Sequence, residues 1–363
     1  MPGTPPLDIA MISTPWFELP PAGYGGTEAM CAALVDGLVE LGHRVTVIGV
    51  GHNGTLGRFV ATCATPQGDH LGSVGPEVVH AARSARILAS LRPDVIHDHS
   101  TAGPLQAHRR RAPTVVTAHG PVSGVTGEYY RALGDTVSLV ALSRAQQAQA
   151  PDIPWSGQIY NAVRTADYPY RLHKGRYAVF LGRLAADKGV HLAIDAARQA
   201  AMPIVIAGAC NDPAERPYVN AEVRPRLGED ARWIGEADHA TKLDLLAYAR
   251  CLVFPICWEE PFGMVMVEAM ACGTPVVALR RGSVPEIVDD GVTGFICDRP
   301  EQLPAALRSV DRLSPQACRE RVRHRFDTLN MACAYQTLYH LLAGDRTRPA
   351  TAASGHRTTP LTW

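Results

Sequence analysis

The chain has 363 residues, too many for one ordinary hydrophobic core and comfortable for two domains. Apolar residues make up 46% and the charges balance, 35 basic against 35 acidic, which is the composition of a globular enzyme and excludes a disordered or fibrous chain. A nucleic-acid binder would show a basic excess or stripe, and none is present at the level of the whole chain.

Short β-rich runs then alternate with longer helical patterns. LDIAMIS, RVTVIGV, PDVIH, PTVVTAH and VSLVALS are near-continuous apolar segments, as parallel strands covered on both faces require. TEAMCAALVDGLVELG and PEVVHAARSARILASL read as helices between them, and this β-α repetition predicts a doubly wound parallel sheet. At GQIYNAVRTADYPYRLHKG the pattern lapses, so a linker is expected near residues 162–174. It restarts through RYAVFLG, PIVIAG, ARWIG, CLVFP and TPVVAL, a second parallel α/β sheet, and two such domains face to face make a cleft. Met331, Tyr335, Leu338, Tyr339 and Leu342 keep helical spacing, which gives a last helix one apolar face to bury. The expected organisation is one domain over 1–165, a second over 170–325, a C-terminal helix over 326–344 and a loosely ordered tail over 345–363.

MPGTPPLDIAMIS has neither a basic n-region nor a long apolar h-region, so no signal peptide is expected. No run of eighteen apolar residues occurs, which argues against a spanning helix. Nine cysteines, an odd count without C-x-x-C spacing, suit buried free thiols in a reducing compartment, and a cytoplasmic protein is expected.

In open α/β sheets ligands bind beyond the carboxyl ends of the strands, and four turns there are unusual. After LDIAMIS comes GYGGTE, where Gly25 and Gly26 let backbone amides approach a ligand at a helix N-terminus; a plain turn with a helix cap is the alternative. GRLAADKG places Arg183 and Lys188 at a helix entry, suited to a diphosphate, or else as solvated surface charges. PTVVTAHGP ends a strand on His119, a hydrogen-bonding group for the cleft or a satisfied structural histidine. In EEPFGMVMVEAM, Glu260 precedes a proline and should be extended, aimed across the cleft. The amides of Gly263, Met264 and Val265 then form a helix N-terminus suited to a phosphate. Glu268 follows inside an apolar helix, where an ionised carboxylate needs a partner. Vicinal hydroxyls of a ribose would meet that need, and a buried partner such as Arg280 or Lys242 is the alternative.

Together these segments resemble glycosyltransferase family 4, a large group of retaining GT-B enzymes. EPFGMVMVE resembles its E-x7-E motif, and GYGGTE, TAHG, GRLAADKG and AMACGTPVVA occur in the family's order, so the resemblance covers most of the chain. It implies two Rossmann-like domains facing a central cleft, with the last helix crossing back onto the first. It also implies roles. Gly26, beside Gly25, would approach the donor diphosphate, which Arg183 and Lys188 would neutralise. Glu260 would hold sugar hydroxyls, the Phe262 to Val265 segment would meet sugar and phosphate oxygens, and Glu268 would bind the ribose. His119 would sit beside the anomeric centre, and Ile234 would line the nucleobase pocket. YNAVRTADY departs from the family's Asn-Gly-Val-Asp linker, matching only at Asn161, and the resemblance assigns no role to His97 and His99 of HDHS.

The implied reaction is hexosyl transfer from a nucleotide-diphosphate sugar, a UDP-sugar foremost, to a small-molecule or oligosaccharide hydroxyl. Two cations and a helix N-terminus compensate the leaving diphosphate, so neither a metal nor another cofactor is expected, and no D-x-D pair occurs. Glu260 and Glu268, set on different parts of the donor, are not the carboxylate pair about 5 Å apart of a retaining glycosidase, which favours front-face displacement. The competing readings are a metal-dependent hydrolase using His97, His99 and His119, and a sugar-nucleotide epimerase on the same fold. Arg109 to Arg111 suit either a solvated helix end or peripheral contact with an anionic membrane. PPAGYGG and HDHS are similar to actinobacterial natural-product transferases of the family.

Overall fold

Each apolar run of the sequence becomes a strand whose two faces are covered by helices, and the helices turn one greasy side to it. The computed structural model describes residues 5–23, 25–210, 213–344 and 361–362. The elements run β1 (Asp8–Ile12), α1 (Gly26–Glu40), β2 (Arg44–Val50), β3 (Arg58–Cys63), α2 (Val74–Ser90), β4 (Val95–Asp98), β5 (Thr114–Thr117), α3 (Gly124–Leu133), β6 (Ser138–Ala141), α4 (Arg144–Gln149) and β7 (Trp155–Gln158). They continue with β8 (Ala178–Leu181), α5 (Val190–Gln199), β9 (Ile204–Ala207), the single turn α6 (Arg216–Tyr218), β10 (Ala231–Trp233), α7 (His239–Tyr248), β11 (Cys251–Phe254) and α8 (Met264–Ala271). Last come β12 (Val276–Leu279), α9 (Val284–Ile287), β13 (Gly294–Cys297), α10 (Leu303–Ser309), α11 (Pro315–Arg325), α12 (Thr328–Gly344) and β14 (Leu361–Thr362).

The chain divides into unit 1, residues 1–162 with 328–363, and unit 2, Val163–Asp327. Unit 1 holds a sheet in the order β14-β7-β6-β5-β4-β1-β2-β3, and unit 2 one in the order β10-β9-β8-β11-β12-β13, with every neighbouring pair parallel. Both are doubly wound, as the β-α repetition predicted. In each sheet the order reverses beside its first strand, between β1 and β4 and between β8 and β11, and a crevice opens at such a reversal.

The last helix, α12, belongs to unit 1 although unit 2 precedes it in the chain. Met331, Tyr335, Leu338 and Tyr339 on it are buried in the unit 1 core, each contributing roughly 1.5–3 kcal/mol of apolar burial, while Leu342 is only partly buried at its edge. The helix lies so close to α1 that a Cβ on Gly37 would stand 2.9 Å from both Ala332 Cβ and Thr328 Cγ2. That contact explains a glycine in the middle of a helix.

Four strands escaped the sequence pattern: β3, β7, β13 and the two-residue β14. β3 is an edge strand, mostly exposed or half-buried, WSGQ carries a single apolar residue, and GFIC, though mostly apolar, is a four-residue edge strand directly after the turn-like DDGVT. The expected tail lies outside the described residues apart from Leu361–Thr362, which pair with Gly157 and Gln158. Among the described residues no helix is long and apolar enough to cross a membrane.

Candidate functional site

Both reversals carry the residues singled out in the sequence. In unit 1 a cavity of about 400 Å³ opens beyond the ends of β1, β4 and β5, lined by Thr14, Gly25, Gly26, Glu28, His99 and His119 among others. Gly25 caps α1 at φ +141°, a conformation side chains resist, and a Cβ there would stand 2.9 Å from Pro21 Cβ. Gly26 begins the helix, and a Cβ on it would meet nothing within 4 Å, so its backbone faces open space. Glu28, one turn in, is buried and accepts a hydrogen bond from Thr14 Oγ1; burial raises its carboxyl above the usual range.

His97 stands near the end of β4 and His99 just past it, their rings side by side. His97 is fully enclosed, with Nδ1 2.6 Å from Tyr339 Oη and Nε2 2.8 Å from Thr117 Oγ1, which in turn meets Tyr335 Oη at 2.7 Å. His99 stacks on it with ring centroids 4.0 Å apart and bonds His119 Nε2 through Nδ1 at 2.9 Å. Burial, the largest cause, holds His97 and His99 well below the ordinary imidazole range and His119 at about 4. All three rings are neutral at pH 7.

This arrangement is not a metal cage. Both nitrogens of His97 are committed to hydroxyls and one nitrogen of His99 is committed to His119. Among the described residues no group of three His, Cys, Asp or Glu could hold an ion. The hydrolase reading gains no support.

The arginine run divides. Arg110 is drawn inward to Asp98, 2.6 Å away and buried, while Arg109 and Arg111 stay exposed. A buried carboxylate at the end of β4 needs that counter-charge more than a membrane surface would.

In unit 2 the turn after β8 leads through Arg183 to Lys188. Gly189, at φ +69°, presses this turn onto the end of β11, because a Cβ there would fall 2.1 Å from Pro255 O. Lys188 is thereby brought to Glu260, with Nζ 2.8 Å from Oε2 and 4.9 Å from the centre of the Trp258 ring. Arg183 pairs with Glu215 and lies 4.0 Å from Asp187. Both expected phosphate cations thus already face carboxylates, and neither stands as a free surface charge.

Gly263 caps α8 at φ +78°, and Gly263, Met264 and Val265 are partly accessible at its start, where the first amides have no partner within the helix. Phe262 differs from the expectation. Its side chain is 2% exposed and packs edge-on against Phe326 at 5.9 Å, so only its backbone is placed like the rest of the segment. Ile234 follows β10 with 45% of its surface exposed.

Glu268 is met by the protein itself. Lys242 Nζ on α7 lies 2.8 Å and Tyr168 Oη 3.2 Å from Oε1, so the expectation that a ligand alone satisfies this carboxylate is replaced by the ion-pair alternative. Arg280 is elsewhere, on Asp298. Both bonds fall on one oxygen, and Oε2 has no hydrogen bond among the described residues.

Sequence reasoning missed Thr14, Tyr168, Trp258 and the pairing role of Glu215. Trp258 sits directly before the two glutamates, a signal that was available in the sequence, and its indole N–H is buried without an acceptor among the described residues. Tyr168 and Glu215 lie far from their partners in sequence, and nothing local announces them.

Comparison with known proteins gives the arrangement its setting. A model of group 1 glycosyl transferases matches residues 169–325, and one of Glycosyltransferase Family 4 matches residues 24–147. Glycogen synthase of Mycobacterium tuberculosis is 29% identical over 92% of this chain and 94% of its own. Alpha-maltose-1-phosphate synthase of that organism is 39% identical over 33% of this chain and 32% of its own. Among solved structures, AviGT4, a glycosyltransferase involved in Avilamycin A biosynthesis, aligns with a TM-score of 0.71 at 26% identity over 93% of this chain and 99% of that one. Anabaena Alr3699/HepE, in complex with UDP and glucose, aligns with a TM-score of 0.72 at 18% identity over 93% and 100%, a likeness of fold.

Proposed function

This chain belongs to the glycosyltransferases of family 4, enzymes of GT-B fold, and from that premise we propose that it transfers a hexosyl unit from a UDP-sugar to a hydroxyl of a small-molecule or oligosaccharide acceptor, with retention and without a metal ion. One observation carries the reading. Two cations after β8 and a carboxylate plus a helix start after β11 meet at the reversal of a single sheet.

In this reading the diphosphate displaces Glu215 and Glu260 from Arg183 and Lys188, and the amides at Gly263 to Val265 receive its remaining oxygens. Glu260, released, turns to sugar hydroxyls. Glu268 accepts from ribose hydroxyls through Oε2, oriented by Lys242 and Tyr168 on Oε1. Ile234 flanks the base. The nucleotide sugar is a co-substrate, and no resident cofactor takes part.

The bond from the anomeric carbon to the phosphate oxygen breaks as the acceptor oxygen approaches the same face. The acceptor's proton passes to the departing phosphate oxygen, and UDP leaves with its charge compensated. The likeness to AviGT4 supports a natural-product acceptor and that to glycogen synthase an oligosaccharide. Nine free thiols fit a reducing compartment such as the cytoplasm.

The test begins with thermal shifts against UDP, GDP, ADP and TDP, where UDP should raise the melting temperature most. Turnover of UDP-glucose with a glucoside or maltooligosaccharide acceptor should persist in EDTA and give an α-linked product by NMR. A product of inverted configuration, activity abolished by EDTA, or an isomerised donor alone would each overturn the corresponding part.

A further inference from the structure

Unit 1 has a second cavity, of about 560 Å³, which is large enough for a small molecule. It stands at the opposite strand ends from the histidines. Arg92 and Pro93, which line it, lead into β4, and Arg109 to Ala112 lead into β5, whereas His99 and His119 follow those two strands. Its wall is apolar where the buried Ile96 and Ala112 meet the half-buried Leu88 and Leu91 at the end of α2.

The charges around this wall are of one sign. Arg92, Arg109, Arg110 and Arg111 line the cavity and no acidic residue does. Arg110 is committed to Asp98. Arg92 donates to the carbonyls of Ala89 and Leu91, and Arg109 and Arg111 have no hydrogen bond or ion pair among the described residues. By contrast Arg44, Arg131, Arg198 and Arg280, exposed elsewhere, each hold an aspartate. Like charges gathered at one opening repel one another, and an anion among them relieves that repulsion. A guanidinium is also weakly hydrated and presents a planar fork to phosphate or carboxylate oxygens.

We propose that this cavity binds a soluble amphiphilic anion, its phosphate or carboxylate head at Arg92, Arg109 and Arg111 and its apolar tail against Leu88, Leu91 and Ile96. Head and tail each answer one half of the lining. Inorganic phosphate leaves the apolar wall wet, and a neutral alcohol leaves the cations without a counter-charge. A bilayer offers the same head groups but keeps its tails in its own interior, away from a recessed wall. Set at the far strand ends from His99 and His119, the ligand is neither the sugar donor nor the hydroxyl that receives the sugar, and the proposal does not rest on the glycosyl-transfer reading.

The probe is octyl phosphate, kept below its micelle concentration and titrated calorimetrically into the full chain beside inorganic phosphate, octanol and vesicles of phosphatidylcholine with phosphatidylglycerol. One molecule of octyl phosphate should bind per chain, about tenfold or more tightly than inorganic phosphate, because each buried methylene adds to the affinity. The double variant Arg109→Ala with Arg111→Ala should lose about tenfold or more. Leu88→Gln, which keeps the cations and spoils the wall, should also weaken binding. Arg110 is left unaltered because Asp98 depends on it. Both substituted arginines are exposed and unpaired among the described residues, so the double variant should melt with the unaltered chain. Saturating UDP should leave the affinity for octyl phosphate unchanged. No binding of octyl phosphate, an affinity matched by inorganic phosphate or by octanol, binding indifferent to either variant, or competition with UDP would each overturn the proposal. So would binding to the anionic vesicles with none to octyl phosphate, which would make the arginines a membrane contact.

Discussion

The Lys188 ammonium is shared between the Glu260 carboxylate, 2.8 Å away, and the face of Trp258. Any anion that binds here must compete with Glu260 for the same cation. Replacing Lys188 with methionine should therefore weaken UDP binding by about tenfold or more, the loss of a charge-assisted bond. Glu260→Gln should act in the opposite sense, leaving UDP affinity equal or higher while it lowers kcat with the sugar donor. Calorimetric titration of UDP into the three proteins checks both, and equal weakening in the two variants would contradict the competition.

Glu268 and Lys242 form a pair in which the carboxylate side chain is 9% exposed. Lys242→Met removes the counter-charge and leaves the acid buried with Tyr168 alone, which should cost roughly 1–3 kcal/mol of unit 2 stability. The double variant Lys242→Met with Glu268→Leu should recover most of that loss, because neither charge then needs burial, yet bind UDP poorly. Urea denaturation followed by nucleotide titration separates the two effects. Recovery of UDP binding along with stability would remove Glu268 from the donor site.

The parallel sheets were legible because strands buried on both faces need nearly every residue apolar, and LDIAMIS or CLVFP can hardly be read otherwise. The four turns were legible because glycines and charges interrupt such runs where the strands end. What lay beyond reach was pairing over distance. Lys242, 26 residues from Glu268 on another helix, could be named only as one of two alternative partners, and nothing in the sequence announced Tyr339, 242 residues from His97. Phe262 misled for a related reason: its neighbours in the motif face outward at a helix start, and only the folded position of Phe326 shows that this ring fills the core.

Gly37 offers a test of the seat of α12. Alanine is the better helix former by about 1 kcal/mol, but its methyl would stand 2.9 Å from Ala332 Cβ and Thr328 Cγ2. Overpacking of this kind costs typically 1–3 kcal/mol, so Gly37→Ala should lower stability rather than raise it. Adding Ala332→Gly should give back part of the loss if the clash is its cause, and denaturant midpoints of the single and double variants decide the matter.

The histidines of unit 1 make stability depend on pH with a definite sign. Each has a folded pKa below the ordinary imidazole value, so the unfolded chain binds protons that the folded chain refuses. The stabilisation is complete above about pH 6.5 and is lost as the pH falls; for His119 the loss runs from there to about 4. At about 1.4 kcal/mol per unit, His119 alone accounts for a loss on the order of 3 kcal/mol across that range. Glu28 and Glu77 work against it, because burial raises their folded pKa values and their stabilisation is present at low pH and lost as pH rises. The comparison that isolates the histidine is therefore a difference between proteins. His119→Asn should show a shallower loss of urea stability between pH 7 and pH 5 than the unaltered chain, with the carboxylate contribution common to both. Parallel curves would mean that His119 takes up a proton as readily in the fold as in the unfolded chain, against the expected effect of its burial.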